Sequence, residues 1–195
     1  MTAPRRIPAL AAFSAALGLA AAPVVADDYD TRLRKLAEAR LAALAAEPAL
    51  LAALRERNAG PDRSAAEIEA LDLDWRAQVG AASAPLIEAV TGRPASLRLQ
   101  TMRDASQGLL TEIILMDRHG LNVAVSDVTS DYWQGDEAKW TETYGAGAGS
   151  VHVSEVEFDE STQTYQAQVS MPVADPDTGG VAGAVTFGVN VEFLE

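Results

Sequence analysis

Cysteine is absent from the 195-residue sequence. That excludes disulfides, thiolate nucleophiles, iron–sulfur clusters and cysteine zinc sites together. Histidine is nearly as scarce: His119 and His152 are the only two, too few for a three-histidine metal centre. Positive charge is also short. Fifteen Lys and Arg stand against twenty-eight Asp and Glu, a formal charge of −13, whereas nucleic-acid binding by phosphate neutralisation needs the opposite balance. Aromatic residues make up 6% of the chain, so a place where they gather carries information. What the sequence holds in quantity is apolar residues, 48% against 22% charged. That is the balance of a chain that buries a core, and its length suits one domain.

Arg5 and Arg6 precede an apolar stretch from Ile7 to Ala22, and Val24-Val25-Ala26 puts small residues at the last and third-last positions. This is the layout of a secretory signal peptide over residues 1–26, cut after Ala26. The run is short for a span of about 20 residues and is broken by Pro8 and Pro23, which favours cleavage over anchoring. The paired arginines lack the rest of a twin-arginine pattern, which favours general secretion. No later segment is apolar enough to span a bilayer. The expectation is a free-standing, exported body in the periplasm, where the lack of thiols suits an oxidising compartment.

From residue 27 to residue 108 the periodicity is helical. Leu33, Leu36, Ala37, Leu41 and Leu44 recur at three- and four-residue steps. Pro48 can open a second helix carrying Leu50, Leu51 and Leu54, and Asn58-Ala59-Gly60-Pro61 reads as its stop. Ser64-Ala65-Ala66-Glu67 is a capping box, opening a helix with Ile68, Leu71, Trp75 and Val79 on one face. Pro85 can start another helix, and Leu97, Leu99 and Met102 fit a last one that stops at Gly108.

Over residues 109–195 the period changes to two. Leu110 to Met116 predicts a strand and Asp117-Arg118-His119-Gly120 a solvated turn; Leu121, Val123 and Val125 then alternate as a hairpin partner. Val151 and Val153 begin another strand, with a parity shift at Val156 and Phe158 of the kind a bulge makes. Tyr165, Ala167, Val169 and Met171 predict a fourth strand, and Val181 to Phe193 a fifth. That last strand has one bulky face and one small face holding Ala182, Ala184, Thr186 and Gly188. The bulky face requires a core, most economically the helices. The expected architecture is α+β: a five-stranded antiparallel sheet with the N-terminal helices packed on one face as a single folded unit.

Between the second and third strands, Ser126 to Trp140 packs four acids, one lysine and three aromatic rings into fifteen residues. Loops held by a rigid sheet are where binding residues concentrate, and a pocket needs apolar walls with a few convergent polar groups. The loop offers both, rings at Tyr132, Trp133 and Trp140 and polar groups at Ser126, Asp131, Asp136 and Lys139; the alternative is that the rings simply plug the edge of the sheet. Asp136 can cap a short helix holding Trp140. Asp127, Asp131 and Asp136 offer oxygen ligands for calcium, although EF-hand spacing is missing. No nucleophile-elbow motif is present; a hydrolase using loop carboxylates has the acids and nothing else in its favour. His152, between Val151 and Val153, reads as a surface or pocket-lining residue.

In order, Asp117-Arg118-His119-Gly120, the aromatic–acidic insert, Pro172-Val173-Ala174-Asp175 and Gly183-Ala184-Val185 resemble the Cache, or PDC, extracytoplasmic sensor domains of bacterial receptors, which are PAS-like sheets. The resemblance covers residues 109–191. It implies a small metabolite bound between sheet and loops, with Tyr132, Trp133 and Trp140 walling the pocket. Asp175 would then hold a ligand amine, and Lys139 or Ser126 a ligand carboxylate. The sequence departs from the amino-acid-binding subclass in having no arginine before a tryptophan; Lys139 is the nearest cation.

The leading expectation is therefore a non-enzymatic, exported module that binds a small polar metabolite, a cationic one included, and contributes to sensing or uptake. No cofactor is implied. A membrane receptor or transporter is the expected partner. The alternative is an interaction module whose Ala/Leu-rich helices dock on a membrane receptor.

Overall fold

The computed structural model describes residues 24–160 and 163–194. The expected signal peptide therefore lies almost wholly outside the described residues. Chain order is α1 (Val24–Leu36), a π-helical turn (Ala37–Leu41), α2 (Ala42–Ala45), α3 (Pro48–Asn58), α4 (Ala65–Gln78), α5 (Pro85–Thr91), α6 (Pro94–Ala105), β1 (Leu110–Met116), β2 (Asn122–Val125), α7 (Ala138–Thr141), β3 (His152–Val153), β4 (Glu157–Asp159), β5 (Thr164–Ala174) and β6 (Val181–Asn190). Proline opens α3, α5 and α6, where its missing N–H costs nothing and its fixed φ suits the first turn. Ser64 and Glu67 form the complete capping box at α4. Among the described residues no helix is long and apolar enough to cross a membrane.

The sheet is open, antiparallel and six-stranded, in the order β2-β1-β6-β5-β3, with β4 also paired to β5. The sixth strand arises where a bulge was expected. The chain leaves the β5 edge after Val153 and rejoins it at Glu157, while the Ser154 N–H and hydroxyl bridge to Gln168. The last strand also stops early. Asn190 caps a 3₁₀ turn at Val191–Phe193, its side chain accepting from the Glu192 N–H at 3.0 Å, and Phe193 ends exposed.

The core follows the expected parity. Ile113 and Leu115 of β1, Val169 and Met171 of β5, and Val185, Phe187 and Val189 of β6 face Leu33, Leu41, Leu50, Leu54 and Leu99 of the helices. One helical expectation fails, since Val79 does not share the buried face of α4, and Leu97, on α6 as expected, is exposed. Leu97 lies two residues from Leu99 and so on the far side of α6, while Val79 falls just past the end of α4. The other face of the sheet is covered too. Ile114, Met116 and Ala184 pack on Trp75, Ile87, Val90 and Tyr132, and Thr186 is fully buried with its hydroxyl 2.9 Å from that of Ser170. The small-residue face of β6 is thus a close-packing surface.

Strand β2 is an edge, and its outward backbone groups are answered by the Tyr132 carbonyl and by side chains. Arg93 donates to the Val123 carbonyl at 2.7 Å, and the buried Ser96 hydroxyl accepts from the Val125 N–H at 3.1 Å. Covering an edge in this way blocks strand addition there. It also brings the N-terminal end of α6 beside the β1–β2 turn.

Candidate functional site

The turn that follows β1 is tied to α3 and to its own backbone through Asp117. Asp117 is 2% exposed; its carboxylate accepts from the N–H groups of His119 (2.8 Å) and Leu121 (3.1 Å) and from Arg57 Nε of α3 (3.1 Å). The expected solvated turn is instead half-buried around a buried Asp117, because Arg57 supplies the charge that lets the carboxylate leave water. Gly120 sits at φ +80°, and a Cβ there would overlap Gly135 of the insert. The close approach lets Gln134 N–H donate to the Gly120 carbonyl at 2.8 Å.

The aromatic insert locks onto this turn. Trp133 Nε1 donates to the His119 carbonyl at 2.8 Å and Trp140 Nε1 to the Asp117 carbonyl at 3.1 Å. Trp140 stacks on Tyr144 at 4.9 Å between centroids, and Tyr132 on Trp75 at 5.1 Å. The Tyr132 hydroxyl accepts from Arg57 Nη2 at 3.3 Å. One Asp72 oxygen accepts from both the Tyr132 and Trp133 N–H groups. The three rings expected to line a chamber thus cover the second face of the sheet, with both indole donors engaged by turn carbonyls.

Of the remaining expected residues, Asp131 and Lys139 are joined through Gln134, while Ser126 and Asp175 are held by other partners. Ser126 is buried, its hydroxyl accepting from the Ile113 N–H and donating to Asp127. Asp131 accepts from Gln134 at 2.5 Å and faces Arg76 at 3.4 Å. Asp136 is exposed and does not cap the short helix, which begins after Glu137 with no side-chain cap. Lys139 is buried, donating to Gln134 and Glu137 at 3.1 Å each. Asp175 sits at the far end of β5, gripped by Arg55, whose Nε is 2.9 Å away and which holds this carboxyl below its ordinary value. It is therefore already neutralised. Among the described residues no group of three or more Asp, Glu or His is arranged to hold a metal.

The largest of the cavities described here opens on the other side of the Asp117 turn, at about 650 Å³. Its wall is Ala49, Ala52, Ala53, Glu56 and Arg57 of α3; Gly60, Pro61 and Arg63 of the α3–α4 connection; Arg93, Pro94 and Ala95 at the start of α6; and Asp117, His119 and Val123 of the hairpin. None of the eight expected site residues lines it. Asp175 lines a smaller, polar hollow of about 330 Å³ with Arg55, Asn58, Arg118 and Tyr144. A third, of about 280 Å³, lies between the π turn and Met171 and Pro172 of β5. The volume of the first falls within the range of small-molecule sites, and its mostly small apolar wall with a few converging charges is the composition such sites have.

The sequence carried a signal for this wall that periodicity passes over: Ala49, Ala52, Ala53 and Glu56 share one side of α3, opposite Leu50 and Leu54, which pack into the core. Ala49 and Ala52 stay outside the core and Ala53 only borders it, and their short side chains leave space.

No family model matches the chain, and no curated protein matches it. Among solved structures it is similar to the sensor domain of the V. cholerae histidine kinase DctB (13% identity, TM-score 0.42, covering 86% of this chain and 57% of that one). It is also similar to the sensory domain of the Campylobacter jejuni chemoreceptor Tlp3 (11%, 0.42, 89% and 66%). A further likeness is to the ligand-binding domain of the Pseudomonas fluorescens chemoreceptor CtaA, solved with L-alanine (11%, 0.41, 87% and 58%). The chain spans less than two thirds of the length of each.

Proposed function

We propose that this chain is a small-molecule-binding module of the sensor kind, and that its ligand occupies the 650 Å³ cavity between α3, the N-terminal end of α6 and the Asp117 turn. The observation that carries the reading is that cavity: apolar small residues converge with charged ones around a space of ligand size. The aromatic insert takes a supporting part in it. Trp133 and Trp140 hold the turn that carries Asp117 and His119, and Tyr132 steadies Arg57 from behind. The signal-peptide layout of residues 1–26 supports export to the periplasm, where such a module would hand its bound state to a membrane receptor or transporter.

The test is a thermal-shift screen of the purified protein against a metabolite library. A ligand that binds only the folded state raises Tm with concentration. Ala52→Trp, which fills the cavity from an exposed helix position, should abolish the shift given by every hit while leaving the unliganded Tm unchanged. Hits that bind Ala52→Trp as well as the native protein would place the site elsewhere.

A further inference from the structure

We infer that the ligand of this cavity is a small organic carboxylate with an apolar body and no ammonium group. This rests on the reading of the cavity as the binding site. Eleven arginines lie among the described residues, and eight of them pair with an aspartate or glutamate. With acids in such excess, a guanidinium without a carboxylate is the exception. The three exceptions are Arg40, Arg63 and Arg93, and the last two line this one cavity.

Arg93 lends one N–H to the Val123 carbonyl at 2.7 Å and keeps the rest of its planar fork. Arg63 makes no hydrogen bond and no ion pair within 4 Å among the described residues, and the Glu67 carboxylate, taken up by the Ser64 cap, acts on it only from farther away. A guanidinium fork matches a carboxylate in shape, and the charge-assisted bonds it forms are about twice as strong as neutral ones. Around these two cations the wall is Ala49, Ala52, Ala53, Ala95 and Val123, which suits a hydrocarbon body and would leave a bare inorganic anion poorly surrounded.

Of the two acids that line the cavity, the buried one is already engaged. Asp117 already serves Arg57 and two backbone N–H groups. Glu56, the other acid of the wall, belongs to an exposed residue of α3, next to solvent. The cationic ligand and the aspartate anchor expected from the sequence therefore give way to an anion held by arginines.

Calorimetric titration of the full chain tests this with compounds sharing one body: benzoate, benzamide, benzylamine and phenylglycine, with hexanoate as a second acid and inorganic phosphate as a bare anion. Benzoate or hexanoate should bind at least tenfold more tightly than the amide, the amine, the amino acid or phosphate. Arg63→Gln and Arg93→Gln should each weaken binding by about 10–100-fold, the loss of one charge-assisted contact. Arg40→Gln, which removes an equally unpaired arginine outside the cavity, should change nothing. Because the Arg63 side chain holds no structural partner, Arg63→Gln stays informative even where Arg93→Gln fails to fold.

Equal or tighter binding of benzamide, benzylamine, phenylglycine or phosphate would overturn the ligand class and leave the cavity standing. So would an Arg40→Gln loss as large as that of Arg63→Gln. Binding by none of the compounds, together with no library hit sensitive to Ala52→Trp, would overturn the cavity reading itself.

Discussion

Replacing Asp117 with alanine removes the acceptor on which the cavity wall and the aromatic insert both depend. Its side chain is 2% exposed and that of its partner Arg57 is 20% exposed. Breaking such a pair by deleting one member leaves a largely buried charge uncompensated, which costs about 3–5 kcal/mol. The His119 and Leu121 N–H groups lose their acceptor as well, at about 1–3 kcal/mol each if they stay dry. The side chain removed leaves room for water, so these costs overlap, and the expected net loss is about 4 kcal/mol. For a chain of this size that corresponds to a drop in Tm of about 8–16 °C. Urea denaturation followed by circular dichroism measures it, with the slope unchanged if the native fold persists. Asp117→Asn keeps an acceptor for the backbone while losing the charge, and should cost roughly half as much. Because Trp133 and Trp140 donate to the carbonyls of this turn, the emission spectrum of folded Asp117→Ala should also shift. A loss below about 1 kcal/mol for Asp117→Ala, or an Asp117→Asn variant as stable as the native protein, would refute the claim that the Arg57 pair holds the turn.

Burial pushes the Glu112 carboxyl above its ordinary value of 4.5. The folded state therefore holds that proton more tightly than the unfolded chain, and its contribution to stability is lost as pH rises from 4.5 through the raised folded value. Glu112→Gln keeps the 2.9 Å bond from Gln168 and should be more stable than the native protein at pH 7, with the gain vanishing below pH 4; a gain that persisted at pH 3 would count against it. Asp175 behaves oppositely: Arg55 lowers it, so its contribution is present above 3.8 and is lost as pH falls. Arg55→Gln should accordingly flatten the acid limb of a stability–pH curve. A Cβ on Gly183 would overlap the Met116 carbonyl and Leu54, so Gly183→Ala should cost about 2–4 kcal/mol in urea denaturation, against under 0.5 for Gly179→Ser if Gly179 were merely a loop residue. That second change should nonetheless cost about 1 kcal/mol, because Gly179 sits at φ +71°.

Much of the fold was legible along the chain. Prolines at helix starts, the Ser64–Glu67 box and the alternation of β1 and β5 are local signals. Each acts through a few neighbouring residues whose conformational preferences do not depend on the rest of the molecule. The sheet parity was legible for the same reason, since Val185, Phe187 and Val189 must share one face whatever covers it. The end of β6 was not. Whether the chain goes on as a strand past Asn190 depends on that side chain capping a turn, an event that alternation does not encode.

The functional surface divides along the same line. Local composition singled out the gathering of rings between Tyr132 and Tyr144, and their packing against the sheet followed from their bulk. Which way they faced was decided by the Asp117 turn, whose carbonyls at Asp117 and His119 drew both indole N–H groups across a sequence gap. The cavity is a tertiary product altogether. It exists because α3 presents alanines on the side away from the core, because Arg93 reaches the edge of β2, and because Arg57 rather than Arg63 or Arg93 claimed the buried aspartate. Periodicity reports what each residue prefers. Which guanidinium is left without a carboxylate depends on distances between segments, and only the folded chain sets those.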